Sequence, residues 1–265
     1  MSRKNVVWGL AFAAAVALAP MAGAQAWNEG DKVLMASEAS FPPFSKTEAD
    51  GSVTGFEIDL GNAVCAAAGL TCEWVKQDFD GIIAALVAEK YDTIFSSMSI
   101  TAERQASFLF TLPYYNSPTK FFGKKGMSVD VSPAGLKGKR VGVYGGAVQD
   151  QYLRASFPDV VAVPYEKMDQ ITADLIAGRI DLGFTEGLVA AEFLGTAEGA
   201  GYAFYGPDFY DPALGEGVGA MLRQGDEALR DRLNEGIRKV YADGTFDQLA
   251  AKYFTVSVRA DSLWK

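Results

Sequence analysis

The stretch Ser96-Ser97-Met98-Ser99-Ile100-Thr101-Ala102-Glu103-Arg104-Gln105 sets three serines and a threonine directly ahead of an arginine. Thr101 or Ser99 can cap a helix whose first turn holds Arg104, which aims backbone N–H groups, a hydroxyl and a two-pronged guanidinium at one point. Such a point suits a carboxylate. The plainer alternative is an ordinary N-cap, with Arg104 in a surface pair with Glu103 or Asp92 that contributes little.

Other residues supply complementary chemistry. Glu186, at the end of an apolar run, can receive an ammonium, so that Arg104 and Glu186 together would read the two charges of an amino acid's α-carbon. Phe41 and Phe79 can sandwich a flat or aliphatic side chain, with Glu38 beyond them to hold a distal cation; a guanidinium stacks well between aromatic faces. Phenylalanines beside prolines are also ordinary core residues. The Gly145-Gly146 turn lacks the Gly-x-Gly-x-x-Gly and Gly-Lys-Ser/Thr patterns of phosphate loops, so the favoured role there is a backbone amide near Ala147 or Val148 donating to a ligand carboxylate.

These residues need a scaffold that brings them together. From Lys32 the chain reads as strand (32–36), Pro-containing loop (41–44), turn (Asp50-Gly51), helix (59–68), strand (72–75), helix (80–88) and strand (92–96), the alternation that builds a parallel α/β sheet. A second α/β unit follows, with strands over 119–123, 140–144, 160–163 and 180–185 and helices from Val148 and over 168–177. The segments 84–97 and 173–186 share the order helix, turn, x-Asp, apolar strand and polar exit, a similarity that any helix-to-strand junction can also produce. Ligands of open α/β sheets bind at the carboxyl ends of strands. Those ends carry Glu38 and Phe41, then Ser96, Ser97, Ser99 and Arg104, and in the second unit Tyr144, the turn with Ala147, Val148 and Gln149, and Glu186.

The tail after Val218 has two amphipathic helices, 226–242 and 245–253, parted by Asp243-Gly244. It has too few strands for a third domain, so it returns to the first lobe. The chain is expected to form two lobes, 27–115 with 216–265 and 119–209, joined by hinge connections at 116–118 and 210–215.

Composition narrows the function. Arg3 and Lys4 precede an apolar run from Val6 to Ala19 that ends in small residues, which reads as a secretory signal peptide over residues 1–26. Without Arg3 and Lys4 the formal charge of −9 becomes about −11, a sign that argues against nucleic acid and anionic membrane surfaces as partners. The chain contains no histidine, which removes the usual general base of hydrolytic triads and the commonest zinc ligand. In an oxidising compartment Cys65 and Cys72 form a disulfide by default, worth roughly 2.5 kcal/mol for so short a ring. No cofactor or metal is expected.

The segments GFEIDLGNAVC (55–65) with the second cysteine at 72, DFDGIIAAL (78–86), SSMSITAERQ (96–105), LKGKRVGV (136–143), AGRIDLGF (177–184) and DGTFDQLAAKYF (243–254) resemble the type II periplasmic solute-binding proteins for polar amino acids. The lysine/arginine/ornithine-binding and histidine-binding branches are the most similar. The resemblance spans essentially the whole mature chain. It implies a two-lobed type II periplasmic-binding-protein fold, each lobe a sheet flanked by helices. It also implies a monomeric capture protein of an ABC importer, exported to the periplasm, with the membrane permease as partner and no enzymatic activity.

By the same resemblance, Arg104 and Ser99 would hold the α-carboxylate, and Ser97 with Glu186 the α-ammonium. Glu38, Phe41, Phe79 and Ser96 would shape the side-chain pocket, and the cysteine pair would match the relatives' disulfide. The chain departs from the pattern where the relatives carry Asp and then Tyr three residues on, having Glu38 and Phe41, and where they carry Asp it has Glu186. Ala147-Val148 replaces a hydroxyl-bearing Ser-Thr. The expected ligand is a cationic L-amino acid, arginine first, then lysine, ornithine or histidine. An opine, a periplasmic enzyme using Glu38 and Glu186 as acid and base, and a sensor input module are the alternatives.

Overall fold

The computed structural model describes residues 26–264, so the expected leader falls outside the described residues but for its last position. The first part of the chain contains β1 (Lys32–Ser37), β2 (Ser40–Phe41), β3 (Ser45–Thr47), β4 (Val53–Thr54), α1 (Phe56–Ala67), β5 (Thr71–Lys76), α2 (Phe79–Val87), β6 (Thr93–Ile94), α3 (Ala102–Gln105) and β7 (Phe108–Phe110). There follow β8 (Thr119–Lys124), β9 (Arg140–Tyr144), α4 (Val148–Ser156), β10 (Val161–Tyr165), α5 (Met168–Ile176), β11 (Leu182–Glu186), α6 (Gly187–Leu194) and β12 (Tyr202–Phe209). The chain closes with β13 (Met221–Arg223), α7 (Glu227–Ala242) and α8 (Thr245–Tyr253).

Two sheets organise two α/β lobes. The first runs β5-β1-β6-β13-β7 and the second β10-β9-β11-β8-β12. In each, three parallel strands meet an antiparallel fourth: β13 runs against β6, and β8 against β11. The parallel reading therefore describes three strands per sheet. The two similar segments, 84–97 and 173–186, end on β6 and β11, which hold the same place in their sheets. The expected loop at 41–44 is part of a small three-stranded sheet, β2-β3-β4.

Apolar periodicity drives the packing. Leu233, Ile237 and Val240 of α7 meet Phe56, Leu60 and Val64 of α1 in one buried cluster over the first sheet, each such side chain contributing roughly 1.5–3 kcal/mol. At Gly236 any Cβ would lie 2.3 Å from the Val64 carbonyl oxygen, so glycine is what lets the two helices touch. On the other face Ile82 and Leu86 of α2 pack against Ile94 and Met221. In the second lobe Phe121, Val141, Val143 and Phe184 form a separate core with Leu153 of α4. Cys65 and Cys72 are disulfide-bonded, pinning the end of α1 to the start of β5.

Helix α1 begins three residues before the sequence-based start. The N–H groups of Phe56 and Glu57 donate to the carbonyls of Pro43 and Phe44 at 3.0 and 2.9 Å, so the hairpin before the helix satisfies its first donors. Gly55, at φ 130° and with no room for a Cβ against Phe44, makes the junction possible. This earlier start brings Glu57 onto the first turn, fully buried.

Candidate functional site

Strand β6 ends in a polar turn that the surrounding side chains hold in place. The Ser96 hydroxyl accepts the Glu38 N–H at 3.0 Å. Ser97 stands at φ 47°, in left-handed territory that a non-glycine residue occupies at a cost. Its N–H and hydroxyl both donate to the Glu57 carboxylate, at 2.7 and 3.0 Å, and the Tyr114 hydroxyl donates to the same group at 2.6 Å. Three donors on one buried acid compensate for the unusual backbone.

The cap is Thr101, whose hydroxyl accepts the Arg104 N–H at 3.3 Å. Arg104 folds back to give one Nη1 hydrogen bond, 3.0 Å, to the Ser99 carbonyl. The surface pair with Asp92 does not form; Asp92 accepts the Leu34 N–H at 2.8 Å instead. Among the described residues Arg104 makes no ion pair with a carboxylate within 4.0 Å. Burial pushes its guanidinium down to about 10, with Glu103 opposing that shift, so it stays charged at neutral pH.

Two further acids line the same cavity as this guanidinium from other strand ends. Glu38 follows β1 and accepts a hydrogen bond from the Tyr144 hydroxyl at 2.9 Å, so the contact crosses from one lobe to the other. Glu186 ends β11 and accepts from the Tyr115 hydroxyl at 3.0 Å. Both are at least nine-tenths buried. Burial raises each to about 8, the tyrosine bond opposes that shift, and the neighbouring carboxylates add to it. Glu57 is raised by burial to about 7, against its three hydrogen bonds.

The predicted residues converge on one cavity. The first lobe contributes Glu38, Phe41, Phe79, Ser97, Ser99 and Arg104. From the second come Tyr144, Ala147, Val148, Gln149 and Glu186, with Thr185 beside them. Ser96 does not line the cavity; it stands behind it and braces Glu38. Phe41 and Phe79 both meet the Tyr144 ring edge-on, with centroids 5.5 and 5.7 Å away. Val148 opens α4 behind its N-cap Ala147, which offers no side-chain acceptor and whose own N–H donates to the Tyr144 carbonyl at 3.2 Å, so the first-turn N–H groups from Val148 onward face outward along the helix axis. The lining closes on itself so tightly that about 20 Å³ is left free, room for about one water.

The sequence reading did not single out Glu57, Tyr114, Tyr115 or Thr185. Glu57 was detectable in principle: Phe56, Leu60 and Val64 share one helical face, and extending it back to Phe56 puts Glu57 in the first turn.

Residues 33–256 match the sequence profile of the bacterial extracellular solute-binding proteins, family 3. The chain belongs to this family. Among family members, the L-arginine-binding protein of Pseudomonas aeruginosa is 42% identical over 225 residues, covering 83% of this chain and 87% of that protein. The lysine/arginine/ornithine-binding periplasmic protein of Escherichia coli is 37% identical over 237 residues, 87% of this chain and 90% of that one. A solved periplasmic binding protein of Salmonella typhimurium with high arginine specificity superposes with a TM-score of 0.79 at 28% identity, covering 85% of this chain and all of that one (100%). The two-lobed α/β architecture of this family member is therefore that of the periplasmic binding proteins it resembles, and these relatives are binding proteins rather than enzymes.

Proposed function

We propose that the protein captures a cationic L-amino acid, arginine first and then lysine, ornithine or histidine, in the periplasm and delivers it to the membrane subunits of an ABC importer. One observation carries this reading. A guanidinium with no carboxylate partner among the described residues shares a cavity with two buried carboxylates that accept hydrogen bonds from tyrosine hydroxyls. A ligand with one carboxylate and two cationic groups complements that set, because buried charges need partners.

In this assignment Arg104, Ser99 and a backbone amide at the Ala147-Val148 turn, that of Val148 since the Ala147 N–H donates to the Tyr144 carbonyl, take the α-carboxylate, while Glu186 with Ser97 takes the α-ammonium. Glu38 receives the distal cation, with Phe41, Phe79 and Tyr144 around the side chain, Gln149 in the cavity wall, and Ser96 bracing Glu38 from behind. The names of the relatives, arginine-binding and lysine/arginine/ornithine-binding, support the ligand class. Lobes of 27–115 with 216–265 and of 119–209 would close on the ligand about connections at 116–118 and 210–215, as a monomer and without turnover. The tight free cavity supports this, since arginine enters only if the lobes part.

A thermal-shift panel on ligand-stripped protein tests the reading with arginine, lysine, ornithine, histidine, glutamine, glutamate and octopine. Ligand at a hundredfold excess over Kd contributes about 2.7 kcal/mol, or roughly 5–10 °C in midpoint for a chain of this size. Shifts confined to cationic ligands are expected. A panel with no shift, or one led by glutamate, overturns the assignment.

A further inference from the structure

A second cavity, of about 360 Å³, lies against the first and has Phe79 and Tyr144 in common with it. Ser40 and Asp78 line it from the first lobe, and Tyr165 and Glu166 from the second. The partition between the two spaces is the edge-on contact of Phe79 with Tyr144. Tyr144 is held there by the hydrogen bond from its hydroxyl to Glu38, the acid assigned above to the distal cation. A cation that bonds Glu38 competes for that oxygen, and a Tyr144 released from it no longer closes the partition.

Resting on the assignment of the inner cavity to cationic amino acids, we infer that the outer cavity is a subsite for a substituent on the ligand's distal nitrogen, so that N-alkylated guanidinium and ammonium side chains are bound as well as free ones. The geometry runs in one line. The α-carbon groups sit at Arg104 and Glu186, the distal nitrogen at Glu38, and a substituent on that nitrogen passes between Phe79 and Tyr144. The chamber it reaches is apolar on its aromatic sides, which suits an alkyl chain. Its three acids, Asp78, Asp80 and Glu166, outnumber its one cation, Lys167, and disfavour anionic substituents. The discrimination is steric: a closed wall rejects added carbons by about a hundredfold, whereas an open chamber does not.

The experiment is calorimetric titration of the whole, ligand-stripped protein with L-arginine and with Nω-propyl-L-arginine, repeated on Glu166→Trp. Glu166 is exposed and lines the outer cavity alone, so the indole fills that chamber without touching the inner one. The expected result is propyl-arginine within about tenfold of arginine in the native protein, and a loss of tenfold or more for propyl-arginine alone in Glu166→Trp. Arginine binding with propyl-arginine weaker by a hundredfold or more overturns the subsite and leaves the cationic-ligand reading standing. Equal effects of Glu166→Trp on both ligands, or on neither, also overturn it. If neither ligand binds, the assignment of the inner cavity fails and the subsite with it.

Discussion

Lowering the pH from 8 to 6 should weaken capture of a cationic amino acid steeply. Glu38 and Glu186 both titrate near pH 8 in the ligand-free protein, raised chiefly by burial. Around Glu38 stand Tyr144, Glu57 and Asp78, and around Glu186 stand Tyr115, Glu57 and Glu38 itself, so the neighbouring carboxylates add to burial in disfavouring ionisation, while Arg104 is the one cation lining the same cavity. A bound cation favours the ionised form, so binding releases protons whenever the pH is below 8. A group titrating at 8 is about half ionised at pH 8 and about 1% ionised at pH 6, so each carboxylate that must ionise costs about fiftyfold in affinity across that window.

The sign for folding is opposite. Carboxyl groups titrating near 8 in the folded chain and near 4.3 in the unfolded one hold protons that the unfolded chain has released. Stability of the ligand-free protein is therefore greatest at low pH and falls as pH rises through this interval, by roughly 1 kcal/mol per pH unit for each proton. The arginine-induced rise in midpoint should thus grow with pH. Calorimetry in buffers of different ionisation heat counts the protons directly: between one and two leave the native protein near pH 7, and fewer leave Glu38→Gln. A dissociation constant that stays flat from pH 6 to 8, with heats independent of buffer, would refute the argument.

Arg104→Ala should weaken arginine at least ten- to a hundredfold, the value of a charge-assisted pair of about 1.5–3 kcal/mol, and leave the ligand-free melting midpoint within 2–3 °C of the native one; unchanged affinity in a titration would remove Arg104 from the site. Phe95 is fully buried and stacks on Tyr114 at 4.1 Å, so Phe95→Ala should cost about 3–5 kcal/mol in urea unfolding. A loss below 1 kcal/mol would mean that the stack is not part of the core.

The strand exits were readable because each combines an apolar run with an abrupt polar stop, and the strand at 140–144 and the helix at 245–253 lie where periodicity puts them. Two kinds of feature escaped. β12 was missed because Gly206 and Pro207 interrupt its apolar pattern; the pairing with β8 shifts register between Tyr205 and Phe209, and an edge position tolerates the proline. Glu57 was missed because its role depends on donors remote in sequence, from Ser97 and Tyr114, and no local pattern reports a long-range hydrogen bond. Ser96 shows the same limit in reverse: its type and place suggested a pocket wall, but its hydroxyl is spent on the Glu38 backbone. The residues that touch the cavity were thus more legible than those that hold them in position.

The place of β13 has a consequence for how the protein comes into being. The strand at 221–223 fills the gap between β6 and β7, and α7 covers α1. The first sheet therefore stays incomplete until more than 220 residues have been made, whereas every strand of the second sheet lies between Thr119 and Phe209. The lobe encoded later should acquire its core first during synthesis, while the earlier segment waits for β13 and α7. A fragment ending after Phe209 would then contain one folded lobe and one sheet left open between β6 and β7.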